Sequence, residues 1–190
     1  MFTKSITLGA VLLTACVADQ GVSTTTQLES DHDYPANVPA ALAPAADQRL
    51  AFSFDASGVQ IYQCRATATG AAWTFVAPDA RLYRNGHDVG HHYAGPTWEY
   101  QDGSLIAGAK LAAATVDLTA IPWLLLKVAS HGGPEGKMSE ISSIQRLETV
   151  GGLAPATGCD LDHVGANANV PYTATYFFFR TETPEAEDID

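Results

Sequence analysis

RLYRNGHDVGHHYAGPTWEYQDGSLI, residues 81–106, is punctuated like a run of β-hairpins. Asn85-Gly86 lies between Arg81–Arg84 and His87–Val89. Asp102-Gly103 lies between Trp98–Gln101 and Ser104–Ile106. Both dipeptides supply the positive φ angles of a tight hairpin turn. Gly95-Pro96 between them reads as a bend.

The same grammar extends outward. Leu50–Phe54 is a strand candidate, followed by turn residues Asp55-Ala56-Ser57-Gly58. Val59–Cys64 then alternates apolar and polar side chains, the period of a half-buried strand. Further strands are expected at Trp73–Ala77, Trp123–Val128, Ile141–Leu147 and Val170–Arg180. The last carries Tyr172, Tyr176 and Phe178 on one parity and Phe177 and Phe179 on the other. Apolar residues on both faces predict a strand buried twice. Residues 108–120 contain alanines broken by Thr115, Val116 and Thr119, so at most a short helix is expected there. The expected fold is all-β: a single-domain β-sandwich or barrel of many short antiparallel strands with little helix.

Residues 90–104 concentrate chemically capable side chains, and three readings compete for them. His87, His91 and His92 with Glu99 and Asp102 are metal-binding residue types, but no HxH or HExxH spacing is present. No metal and no cofactor is therefore assigned. Ser104, His92 and Asp102 are the residue types of a hydrolytic triad, without a GxSxG elbow. Glu99 with Asp102 or Asp79 would suit glycoside chemistry if the fold set them about 5–9 Å apart. Tyr93, Trp98, Tyr100 and Trp123, with Arg146 and Lys110, offer the aromatic faces and charged handles of a small-molecule or saccharide surface. Trp123 lies in Ile121-Pro122-Trp123-Leu124-Leu125-Leu126 and reads as core. Arg146 stands inside an apolar strand, where Glu99 or Asp102 would be its natural partner. The binding reading leads, at His92, Tyr93, Trp98, Glu99 and Arg146. A hydrolase or metal-dependent enzyme using His92, Glu99 and Asp102 is the alternative, and a structural protein without a ligand site is the third.

The chain opens MFTKSITLGAVLLTAC. Lys4 precedes an apolar run, Ile6–Leu13, far shorter than the roughly 20 residues of a membrane-spanning helix and suited to a signal peptide. Leu13-Thr14-Ala15-Cys16 resembles the bacterial lipoprotein box. That resemblance implies cleavage before Cys16 and lipidation of its thiol. The expected organisation is a signal peptide over 1–15, a lipidated cysteine and tether over 16–35, the domain over 36–180, and an acidic disordered tail over 181–190. Such a protein is exported and lipid-anchored in the bacterial envelope, at the outer membrane or facing the periplasm, with the membrane as partner.

The formal net charge is −11, and charged residues make up 16% of the chain against 46% apolar. This is globular composition. With no basic patch, nucleic acid is excluded as a partner, and anchoring falls to the acyl group. The two remaining cysteines, Cys64 and Cys159, are expected to pair in an oxidising compartment. There is no CxxC spacing to suggest redox chemistry.

Several stretches together resemble a known family. They are Tyr62-Gln63-Cys64; Gly90–Glu99 with Asp102-Gly103-Ser104; Ile121–Leu126; Ile144-Gln145-Arg146 with Thr149–Gly152 and Ala154-Pro155; and Gly158-Cys159. The chain is similar to the bacterial and fungal domain-of-unknown-function family 3455 over about residues 36–180. The resemblance implies a secreted or surface-exposed protein, with the family histidine at His92 and His91 at a variable position. Some fungal members carry a malate dehydrogenase label. No GxGxxG here follows a strand and opens a helix, as dinucleotide binding requires.

Overall fold

The computed structural model describes residues 33–182. The expectations for the signal peptide, Cys16, most of the tether and residues 183–190 of the tail lie outside the described residues. Eight strands follow in chain order: β1 (Gln48–Thr67), β2 (Gly70–Arg84), β3 (His87–Tyr93), β4 (Thr97–Tyr100), β5 (Leu105–Ala114), β6 (Trp123–Gly132), β7 (Ile141–Gly151) and β8 (Asn167–Thr181). Each pairs with the next, and β8 closes on β1 to complete a barrel. All pairings are antiparallel. Closure removes every exposed sheet edge. Of the two architectures open from the sequence, the chain adopts the barrel.

The strands are not all short. β1 runs for 20 residues, β2 and β8 for 15 each. The expected turn at Asp55–Gly58 is absent, and the chain passes through it as continuous strand. Gly58 is there for a different reason. A Cβ at this position would run into the carbonyl of Asp79 and into Ala80 on β2. The glycine lets two curved strands approach closely, a recognised use of glycine within a sheet. The alanine-rich stretch after Gly108 is likewise strand, because it is paired with β6 as far as Ala114↔Trp123.

The hairpin turns behave as expected, with one difference. Asn85 and Gly86 both have positive φ, 49° and 74°, and close a two-residue loop. At Asp102-Gly103 only the glycine does, with φ of 86°. The Tyr100 carbonyl accepts from the Gly103 N–H and the Tyr100 N–H donates to the Ser104 carbonyl, so the loop has three residues. That is the three-residue hairpin with glycine in the left-handed position.

Two cores flank the sheet. Inside lie Phe52, Phe54, Leu82, Trp98, Ile106, Ile144, Tyr176 and Phe178 with their neighbours. Outside, Phe177, Phe179, Leu147, Trp123 and Leu125 pack under Leu42. Ahead of β1 the chain makes a 3₁₀ turn, η1 (Ala40–Leu42), that covers this outer face. The Gln145 amide donates to the Leu42 carbonyl and fastens it. β8 is therefore buried twice, as its two apolar faces predict. Burying each such phenylalanine stabilises the fold by about 1.5–3 kcal/mol.

Alternation of the strands sets two rims. The upper rim holds the loops 68–69, 94–96, 115–122 and 152–166. The lower rim holds 85–86, 101–104 and 133–140, and there the chain enters at Gln48. Cys64 and Cys159 form a disulfide, with Cα atoms 5.3 Å apart, that staples the long β7–β8 loop to β1.

Candidate functional site

The hairpin β3–β4 positions most of the candidate residues, and strand alternation divides them. His92 and Trp98 are cross-strand partners whose side chains enter the barrel, where both are almost fully buried. His92 Nδ1–H donates to the Thr97 carbonyl at 2.8 Å. Its ring stacks on Trp98 and meets Tyr176 edge-on. Burial pushes its pKa down to about 3. The ring is a neutral core group at physiological pH.

His91, Tyr93 and Glu99 face outward. Tyr93 donates to Glu99 at 2.9 Å. Burial, with the Glu99 carboxylate beside it, raises the Tyr93 pKa. His91 Nε2 lies 2.8 Å from Asp79 Oδ1 on β2. One register position down, Arg81 grips Asp88 through two parallel bonds of 2.7 and 2.8 Å. The Arg81 guanidinium holds the Asp88 carboxyl below its usual range. Arg81, Asp88, His91, Glu99 and Tyr100 surround an open cleft of about 360 Å³ floored by Gly90. A Cβ at Gly90 would strike the Glu99 carbonyl, so glycine lets β3 and β4 approach closely beside the cleft.

The triad residues do not assemble. Ser104 Oγ donates to Asp102 Oδ1 at 2.6 Å and accepts from the Met138 N–H at 3.1 Å. Asp102 also accepts from the Ser104 and Lys137 N–H groups. Its partial burial would raise its pKa, and these donors outweigh that and lower it. The cluster ties two lower-rim loops together, while His92 is held near the upper rim by Thr97. Glu99 and Asp102 are likewise separated, on the outer face of β4 and in the rim loop.

Arg146 enters the barrel rather than meeting Glu99 or Asp102. Its guanidinium donates to the Pro122 carbonyl at 2.8 Å and acts electrostatically on Tyr62, Tyr172, Tyr176 and His92. The reason is parity: Arg146 follows Ile144, an inner-core residue, by two. Trp123 is buried, in the outer core, and Lys110 lies exposed on β5, outside the cleft. Among the described residues no group of three His, Cys, Asp or Glu side chains is gathered for a metal.

A family model described as protein of unknown function (DUF3455) matches residues 44–180. The chain belongs to this family. The matched region spans nearly the whole barrel, both cysteines and every residue of the cleft. No curated protein and no solved structure matches the DUF3455 chain.

The family resemblance puts His91 at a variable position, and nothing in the sequence singles out Arg81 or Asp88 as site residues. Their signal was the hairpin itself. The Asn85-Gly86 turn fixes the β2–β3 register, and that register places His91 opposite Arg81.

Proposed function

We propose that this DUF3455 protein is an exported, lipid-anchored binding module that takes a saccharide or similar polyhydroxylated small molecule in the cleft over Gly90. The observation that carries the reading is the convergence of Arg81, Asp88, His91 and Glu99 around one concave volume of about 360 Å³. Carboxylates and a guanidinium held in fixed pairs present acceptors and donors together, as sugar hydroxyls require. The Glu99 carboxylate is oriented by Tyr93, so it is placed before a ligand arrives.

Export and anchoring rest on the signal-like opening, on Leu13-Thr14-Ala15-Cys16 and on the disulfide, a bond that persists outside the reducing cytosol. A palmitate analogue fed to expressing cells should label the protein, and Cys16→Ala should abolish the label. Label surviving that substitution overturns the anchor.

Binding is tested by thermal shift of the purified protein across a panel of neutral and acidic oligosaccharides. A binder raises the apparent melting temperature by mass action. The shift should vanish in a Glu99→Gln, His91→Ala double variant whose own melting temperature is close to wild type. A shift that persists there places the site elsewhere. No shift with any saccharide overturns the reading.

A further inference from the structure

The upper half of the barrel interior carries a cation with no anion. Arg146 is always charged, and the groups its guanidinium meets are the Pro122 carbonyl and the Tyr176 hydroxyl, neither of them an anion. Its Nε is buried without an acceptor, and so are Gln60 Nε2 and Trp98 Nε1. All three belong to one neighbourhood. Trp98 packs on Tyr176 at 5.4 Å. Tyr176 is the register partner of Arg146 and shares a 3.4 Å hydroxyl contact with Tyr172. Gln60 lies beside the Tyr172 hydroxyl. Gln60 and Trp98 are only 2% and 1% exposed.

The nearby carbonyls are already engaged, and the Tyr172 and Tyr176 hydroxyls, which Gln60 and Arg146 approach, are neutral acceptors that also contact each other. The carbonyls of Ile121, Pro122 and Gly152 receive Thr149, Arg146 and Tyr62. Arg146 as a whole is only partly buried, but its Nε and the Gln60 and Trp98 donors are enclosed, and enclosed donors are almost always satisfied. The arrangement has an excess of donors and an excess positive charge at one place. Both deficits have the same remedy, a negatively charged acceptor.

We propose that this interior site binds a monovalent anion, held by Arg146 with the Gln60 amide and the Trp98 indole N–H. The inference goes beyond the cleft and does not depend on it. The aromatic packing below, from Trp98 and Tyr176 to Phe54 and Phe178, leaves the barrel filled. That favours a free anion of chloride or formate size. The carboxylate head of an amphiphile shares the chemistry, and the experiment separates the two.

The test is the chloride NMR line width of the purified protein at constant ionic strength, with isethionate as the balancing ion. Wild type should broaden the chloride signal saturably, and formate should reverse the broadening. Arg146→Met should abolish it while keeping the melting temperature at or above that of wild type in isethionate, since it removes an uncompensated charge. Trp98→Phe keeps the ring and loses one donor. It should weaken chloride by roughly tenfold, the usual worth of a hydrogen bond to a charged group. Octanoate displacing chloride much better than formate would assign the site to a head group instead of a free anion and overturn that choice. Broadening equal in wild type and Arg146→Met, or absent from wild type, overturns the proposal and leaves the donors to water. Should Arg146→Met fail to fold, Trp98→Phe and Gln60→Leu decide the matter by the same reading.

Discussion

The imidazole of His92 lies flat on the indole of Trp98, with ring centroids 4.2 Å apart and planes 14° from parallel. The pair is sealed inside the barrel, and the histidine pKa falls from 6.5 to about 3 because burial disfavours its charged form. The unfolded chain therefore binds a proton between these values that the folded chain refuses. Stability from this residue is complete above pH 6.5 and is lost as pH falls from 6.5 toward 3. The slope approaches about 1.4 kcal/mol per pH unit in that window. Denaturant unfolding of wild type and His92→Gln at pH 7.5, 6 and 4.5 should show the variant less stable at neutral pH but with a flatter loss on acidification. Parallel curves would mean that His92 titrates normally. The carboxylates of Asp88 and Asp102, whose pKa values are lowered, contribute stability that is present above their unfolded values and lost at still lower pH. They do not mask the histidine window.

Asp102 and Ser104 form a structural knot, and mutagenesis can distinguish this from catalysis. Asp102→Ala removes the acceptor of three donors at once, leaving the Lys137 and Ser104 groups without it. The expected loss is about 1–3 kcal/mol in denaturant unfolding. Ser104→Ala made on top of Asp102→Ala should then add much less than it costs alone, because the two residues share one network. Full additivity would show that they act separately.

How far the sequence reveals this molecule depends on which interactions are local. Asn85-Gly86 and Asp102-Gly103 announce their turns, because turn chemistry resides in the turn residues themselves. The double burial of β8 is legible from its aromatic parity. What covers its outer face is not, since Leu42 and Phe177 are joined only by folding. Asp55–Gly58 misleads because the same residues that make turns also permit close strand approach. The candidate site divides for a similar reason. Proximity in sequence put His92, Tyr93, Trp98 and Glu99 together, whereas a two-residue strand period sends alternate neighbours to opposite faces. Arg146 gave no local sign of its surroundings, which come from β1, β4 and β8.

The disulfide should matter most to the upper rim. Cys64 and Cys159 are 95 residues apart, and a loop of that length contributes up to about 4–5 kcal/mol in the chain-entropy model. Cys64 also exchanges backbone bonds with Gly165 and Ala166, so the loop has a second hold on β1. A Cys64→Ser, Cys159→Ser double variant should fold with reduced stability. Hydrogen exchange should rise first in residues 152–166 and leave the lower-rim network protected. Uniformly raised exchange would indicate that the disulfide supports the whole barrel instead.

The continuity of β1 is open to a direct test at Gly58. A glycine in a surface turn without a crowded neighbour accepts alanine at little cost when φ is negative, and often with a small gain. Gly58 faces the backbone of β2, and its missing Cβ leaves the space that the Asp79 carbonyl and Ala80 occupy. Backbone cannot rotate aside as a side chain can, so alanine there must push two long strands apart in the middle of their ladder, where Gly58 pairs with both Ala80 and Tyr172. Overpacking of this kind costs typically about 1–3 kcal/mol. Gly58→Ala should therefore lower the denaturant midpoint clearly, with slowed exchange lost at the amides flanking residues 58 and 80. A variant as stable as wild type would restore the turn reading of Asp55–Gly58 and break β1 in two.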